Sequence, residues 1–148
     1  MHGPVDSEVI RASDSSVATS DLGLHAARAA LADATLDATE IDCIIFGTFS
    51  PDFHFPGTGV LLQKKLGIAE QTSCACFDIR QQCSGFVYGL QMADAFVKTG
   101  VYKRVLLVDA VPLTIDHWRR EGRVQRGDRI LSSVFGSGFT WGAALFTL

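Results

Sequence analysis

The sequence contains no apolar run near the roughly 20 residues that a membrane-spanning helix needs. Its first residues, Met1-His2-Gly3-Pro4-Val5-Asp6, show neither a basic cluster nor an apolar stretch, so no signal peptide is expected and the predicted location is a reducing cytoplasm. Cys74-x-Cys76 followed by Cys83 matches no common zinc spacing, and no histidine lies nearby, so no metal site is expected. Cys43, Cys74 and Cys76 sit in apolar, strand-like runs and read as small buried hydrophobes. An acidic balance of −3 and the lack of an aromatic-basic motif argue against nucleic acid as a partner. No Gly-x-Gly-x-x-Gly opens a helix, which removes the dinucleotide fingerprint. Low-complexity segments and short repeats are also absent.

What is present fits a globular domain. The chain has 148 residues, 47% of them hydrophobic and 20% charged. That length supports one domain with a real core. Charge is uneven: residues 1–100 carry −6 and residues 101–148 carry +3. Arg119, Arg120, Arg123, Arg126 and Arg129 crowd into one stretch. They form either a solvated helix end and turn or a landing patch for an acidic partner or a phosphate-bearing substrate.

Residues 1–18 are small and polar and predict a loosely structured segment, followed by a single domain over 19–148. A helix opens at Ser20-Asp21, with Leu22, Leu24, Ala27, Ala30 and Leu31 on its apolar face. Asp37–Asp42 is a turn. Cys43–Thr48 is an unbroken apolar run, as in a parallel strand covered on both faces. After the Ser50–Pro56 loop, Thr58 is expected to cap a helix through Leu66 that stops at Gly67. Ser73–Ile79 is a strand. Ser84–Thr99 is a long helix with Phe86, Leu90, Ala93 and Val97 as its buried stripe, and Arg104–Asp109 is a third buried strand. Thr114–Glu121 predicts a helix, and Arg129–Phe135 and Gly142–Phe146 predict an antiparallel pair. Alternating helices and strands give an α/β fold with a mostly parallel sheet and right-handed crossovers.

Cys83 stands between the second strand and the long helix. A helix N-terminus carries partial positive charge and unpaired N–H groups, which suits a nucleophilic thiolate. Gly85 leaves room for substrate to approach the backbone, as at a nucleophile elbow. A lone cysteine at a helix start is more often inert. Here a second glycine-rich loop, Phe135-Gly136-Ser137-Gly138-Phe139-Thr140-Trp141-Gly142, offers N–H groups for an oxyanion hole; alone, it would read as a tight hairpin.

The segment Asp78-Ile79-Arg80-Gln81-Gln82-Cys83-Ser84-Gly85-Phe86-Val87-Tyr88-Gly89-Leu90 resembles the active-site segment of the β-ketoacyl-acyl-carrier-protein synthase III family, of the thiolase superfamily. Thr19–Leu22, Ser50–Pro56, Tyr102–Val108, Glu121–Asp128 and the Gly136–Ala144 run are similar to that family as well. Residues 19–110 resemble the first of the family's two halves, and residues 112–148 resemble the end of the second. The resemblance implies a thiolase-like single half with a C-terminal β-hairpin. It implies an acyltransferase of fatty acid or polyketide biosynthesis, loaded by acyl-CoA and condensing with malonyl-acyl carrier protein. Cys83 is the implied nucleophile and the Ser137 backbone N–H part of the oxyanion hole. Phe55, which matches a family residue that reaches across the dimer interface toward the partner's acyl pocket, is the implied substrate contact together with Phe86, Phe135, Gly136 and Gly138. No cofactor is implied, since coenzyme A and acyl-carrier-protein thioesters are substrates. The family's catalytic histidine and asparagine have no counterpart here: His2, His25, His54 and His117 stand in other contexts. Acyl loading is therefore expected, with condensation weak or absent.

Loss of the other half would leave an apolar face that should not stay exposed, so a homodimer or higher oligomer is expected. Two other readings stand beside the acyltransferase. One is a non-catalytic acyl-binding or subunit-partner protein of a full-length synthase; the other is a plain α/β domain with an inert cysteine.

Overall fold

The computed structural model describes residues 17–70, 73–81, 83–136 and 139–148. The expected loose segment thus lies, as far as residue 16, outside the described residues. The elements are α1 (Thr19–Ala34), β1 (Cys43–Gly47), α2 (Thr58–Lys65), β2 (Ala75–Ile79), α3 (Gly85–Thr99), β3 (Val105–Val108), α4 (Val111–Arg120), β4 (Arg129–Gly136) and β5 (Thr140–Thr147). The Asp37–Asp42 turn holds one turn of 3₁₀-helix, Ala38–Glu40, capped by the Asp37 carboxylate.

The central strand is β1. It pairs in parallel with β2 on one side, Ile44 opposite Cys76, and with β3 on the other, Ile44 opposite Leu106. Its side chains alternate between two covered faces. Ile44 and Phe46 pack with Ala27 and Leu31 of α1, Leu62 of α2, and Leu106 and Val108 of β3. Ile45 points the other way, toward α3, where a Cβ on Gly89 would meet its Cγ2 at 3.5 Å. Burial on both faces explains why this run shows no polar alternation. Ile44 and Ile45 are both fully buried, each contributing about 1.5–3 kcal/mol.

Carboxylates from loops and strand ends hold the helix starts. Asp52 accepts from the Ser20 N–H at 3.0 Å and bonds the Ser20 hydroxyl at the start of α1. Asp78 accepts from the N–H groups of Thr58 at 2.6 Å and Gly59 at 2.8 Å. Thr58 is therefore not the cap that the sequence suggested. It is the first helical residue, and its buried hydroxyl has no partner among the described residues. Gly67 does end this helix, at φ +76°.

The expected stripe on α3 holds only in its first half. Phe86 is buried and Leu90 and Ala93 are half-buried, but Val97 is half exposed. Phe77, Phe96 and Tyr102 close that end, with ring centroids 5.1–6.4 Å apart. The helix expected from Thr114 starts earlier, at Val111, with Pro112 in its first turn, where a missing N–H costs nothing.

β4 and β5 form the expected antiparallel hairpin but make a separate two-stranded sheet rather than extending the parallel one. The hairpin lies against α3: Phe86 and Phe146 meet edge to face at 6.3 Å, and a Cβ on Gly142 would stand 3.1 Å from Val87 Cγ1. In the arginine-rich stretch, Arg119 pairs with Asp33 and Arg120 with Asp116, while Arg123 lies over the Trp118 ring. No helix among the described residues is long and apolar enough to cross a membrane.

Candidate active site

β2 ends at Ile79 and α3 begins at Gly85, so Cys83 occupies a short connection at the carboxyl edge of the parallel sheet. Cys83 is exposed, whereas Cys43 is buried and Cys74 and Cys76 are half-buried. Burial pushes the Cys43 thiol up to about 11. The neighbouring Cys74 sulfur, together with burial, raises Cys76 strongly. Both remain protonated packing groups at neutral pH. Cys83 alone of the four combines exposure with a helix start. The N–H of Tyr88 is the first to bond back, to the Ser84 carbonyl at 3.2 Å. By helix geometry the preceding amides lack intrahelical acceptors and face the elbow.

Ser84 is fully buried, and its hydroxyl donates to Thr140 Oγ1 at 3.0 Å. This bond fastens the base of the glycine-rich hairpin tip to the residue after Cys83. Gly136 pairs with Thr140 at that tip. Ser137, the expected oxyanion-hole residue, and Gly138, an expected substrate contact, lie outside the described residues.

The expected substrate contacts are spread around this centre. Phe55 is 90% exposed on the loop between β1 and α2. That loop is tied to the entry of the elbow, since Arg80 donates to the carbonyls of Phe53 at 3.4 Å and His54 at 3.1 Å. Phe86 is buried against Phe146, and Phe135 stands exposed on the outer face of the hairpin. His25 lies on α1, His54 on the Phe55 loop, and His117 on α4 beside Glu121 at 3.3 Å. No hydrogen bond reaches Cys83 from a histidine among the described residues. No group of three or more His, Cys, Asp or Glu that could hold a metal occurs among them.

Sequence reasoning missed Asp109. Its carboxylate sits between Gly47 and Gly85: a Cβ would fall 2.2 Å from Asp109 Oδ2 at Gly47 and 3.4 Å at Gly85. Burial raises its pKa, opposed by hydrogen bonds from the N–H groups of Val111 and Ala110. The available signal was an acidic residue closing the apolar run of β3.

The family model for 3-oxoacyl-[acyl-carrier-protein (ACP)] synthase III matches residues 77–138, from β2 through the elbow to the hairpin tip. A β-ketoacyl-[acyl-carrier-protein] synthase III from Caldanaerobacter subterraneus subsp. tengcongensis is 40% identical over 152 residues, covering 92% of this chain and 45% of that protein. The chain thus spans about half the length of this relative. The 3-oxoacyl-[acyl-carrier-protein] synthase III from Aquifex aeolicus VF5 superposes with a TM-score of 0.79 at 19% identity, covering 90% of this chain and 85% of that one, which shows the fold. OleA from Xanthomonas campestris, a cysteine-to-serine variant solved with bound lauric acid and lauroyl-CoA, superposes at 0.60 with 29% identity, over 64% of this chain and 27% of that one. By sequence over most of its length and by its thiolase-like fold, the chain is similar to the 3-oxoacyl-[acyl-carrier-protein] synthase III family.

Proposed function

We propose that the chain is an acyltransferase of β-ketoacyl-acyl-carrier-protein synthase III type that accepts an acyl group on Cys83 from an acyl-CoA thioester. The observation that carries this reading is the exposed Cys83 at the strand-to-helix elbow, with the hairpin tip fastened beside it by the Ser84–Thr140 bond. The relative solved with lauroyl-CoA supports a long-chain acyl-CoA as donor. In the step proposed, the Cys83 sulfur attacks the thioester carbonyl carbon. The carbonyl oxygen becomes an oxyanion, which N–H groups at the start of α3 and in the hairpin tip stabilise. Collapse breaks the bond to the coenzyme A sulfur, and free coenzyme A leaves with the proton that the Cys83 thiol gives up.

Acyl carrier protein, as the malonyl carrier of fatty acid or polyketide synthesis, is the proposed second substrate. Condensation with it is proposed to be slow relative to loading, since no histidine bonds Cys83 among the described residues and decarboxylation needs an enolate stabiliser. The protein is proposed to act as a homodimer or higher oligomer. The exposed Phe55 favours one second reading, a subunit partner that presents this ring to a full-length synthase.

Incubation with lauroyl-CoA or acetyl-CoA followed by intact-mass measurement tests the acyltransferase. An adduct of one acyl group, absent in Cys83→Ser, is expected. Absence of any adduct on the folded protein overturns the reading.

A further inference from the structure

Three chain segments meet at the carboxyl edge of the parallel sheet, beside the elbow that carries Cys83. β1 ends at Gly47, β3 gives way to Asp109, and α3 starts at Gly85. The Asp109 carboxyl fills the space between the two glycines. A Cβ on Gly47 would overlap Asp109 Oδ2 and lie 3.2 Å from Cγ, and one on Gly85 would lie 3.4 Å from Oδ2. No side chain can stand at Gly47 while the carboxyl keeps this place. Its other oxygen, Oδ1, accepts from the Val111 N–H at 3.2 Å, at the start of α4. The carboxyl is thus anchored from α4 and leans across the end of β1 onto the first turn of α3. Stability alone is a poor account of it. Burial disfavours the ionised carboxyl, so Asp109 carries a cost that an apolar residue closing the apolar run of β3 would not. Costs of this kind gather at functional sites.

We propose that Asp109 is a positioning residue for acyl transfer: its carboxyl is the spacer that sets the height of the first turn of α3 over the end of β1, and with it the place of Cys83. The inference rests on the acyl-transfer reading above and adds the residue that holds its nucleophile. Cys83 is joined to Gly85 through Ser84, which is fully buried, so the cysteine moves only with this turn. The Ser84–Thr140 bond ties the turn to the hairpin, and the Asp109 carboxyl sets its distance from the sheet. The sulfur must meet the thioester carbon while the free N–H groups of the same turn meet the oxyanion. A shift of about 1 Å in the turn spoils both contacts and costs about 100-fold in rate. Asparagine has the same shape and keeps an acceptor for the Val111 N–H. Alanine leaves the space between the glycines empty.

Single-turnover loading of the full chain from lauroyl-CoA, followed by intact mass, tests the proposal together with hydrogen exchange in peptides that span the elbow. Asp109→Ala is expected to slow loading at saturating lauroyl-CoA about 10–100-fold, with the half-saturating concentration unchanged. Exchange at the start of α3 should quicken, and exchange in α1 should not. Asp109→Asn is expected to hold both at parental values. Gly47→Ala keeps Asp109 but pushes its carboxyl aside, and is expected to load as slowly as Asp109→Ala. It reports even where Asp109→Ala does not fold. Parental loading in Asp109→Ala or in Gly47→Ala, an asparagine variant as slow as the alanine one, or a loss carried by the half-saturating concentration would each overturn the assignment. A parent protein that takes no acyl group overturns the acyl-transfer reading instead, and exchange at the start of α3 then decides on the spacer by itself.

Discussion

The Ser84 hydroxyl lies 3.0 Å from Thr140 Oγ1, joining residues 56 positions apart at the point where the elbow meets the hairpin. Ser84 is fully buried, so its hydroxyl has no ready water to replace Thr140. Ser84→Ala and Thr140→Val should each cost about 1 kcal/mol of stability, and the double variant should cost less than their sum. If the bond also holds the hairpin tip beside Cys83, acyl loading should slow in both variants by more than the stability loss explains. Denaturant titrations set against adduct formation rates give both readouts. Strict additivity in stability would remove the bond from the account.

Asp109 should make the protein's stability depend on pH. Its pKa is raised from 3.8 by burial, so the folded state holds the proton more tightly than the unfolded chain. The stabilisation is then complete below the unfolded value and is lost as pH rises through the folded one. Asp109→Asn retains an oxygen for the Val111 N–H but carries no charge. The variant should melt higher than the parent at pH 7, and the difference should shrink toward pH 4. Thermal scans across that range check it; a gap that does not change with pH contradicts the burial argument.

What the sequence showed clearly was local. The run from Cys43 to Gly47 is apolar at every position because both faces of the strand are covered, and the elbow at Cys83 needs only a strand end and a helix start nearby. The cap of α2 was misread because the capping carboxylate, Asp78, sits 20 residues away on β2. Val97 kept the helical period of the α3 stripe but is half exposed, since period alone does not say which turns of a helix are covered. The hairpin was legible from its two apolar runs and glycine-rich join. Its separation from the parallel sheet was not, because it follows from how closely Gly142 approaches Val87 on α3.

The Asp78 cap gives a direct test of that long-range contact. The carboxylate satisfies two N–H groups at the start of α2, and its negative charge faces the positive end of the helix. Gly57 and Gly59 make room for it, since a Cβ at either would lie about 3 Å from Asp78 Oδ1. Asp78→Ala should cost about 1–2 kcal/mol, and Asp78→Asn less, because one acceptor remains. Equal losses in the two variants, read from urea midpoints, would mean that packing rather than capping is responsible.

Gly23 tests how rigid the α1–β1 contact is. A Cβ at this position would fall 2.5 Å from Phe46 Cε2 and 2.8 Å from Cζ. The Phe46 ring is only 3% exposed and packs within the Ile44 and Leu106 cluster, so it has little freedom to retreat. Gly23→Ala gains about 1 kcal/mol of helix propensity. Overpacking costs about 1–3 kcal/mol, so a net loss is expected. Phe46→Leu opens the space that the new methyl needs. Gly23→Ala with Phe46→Leu should therefore be less destabilised than the two single changes add up to, which a double-mutant cycle in urea measures. If Gly23→Ala alone stabilises the protein, α1 can lift from the sheet, and the close approach is not what fixes its position.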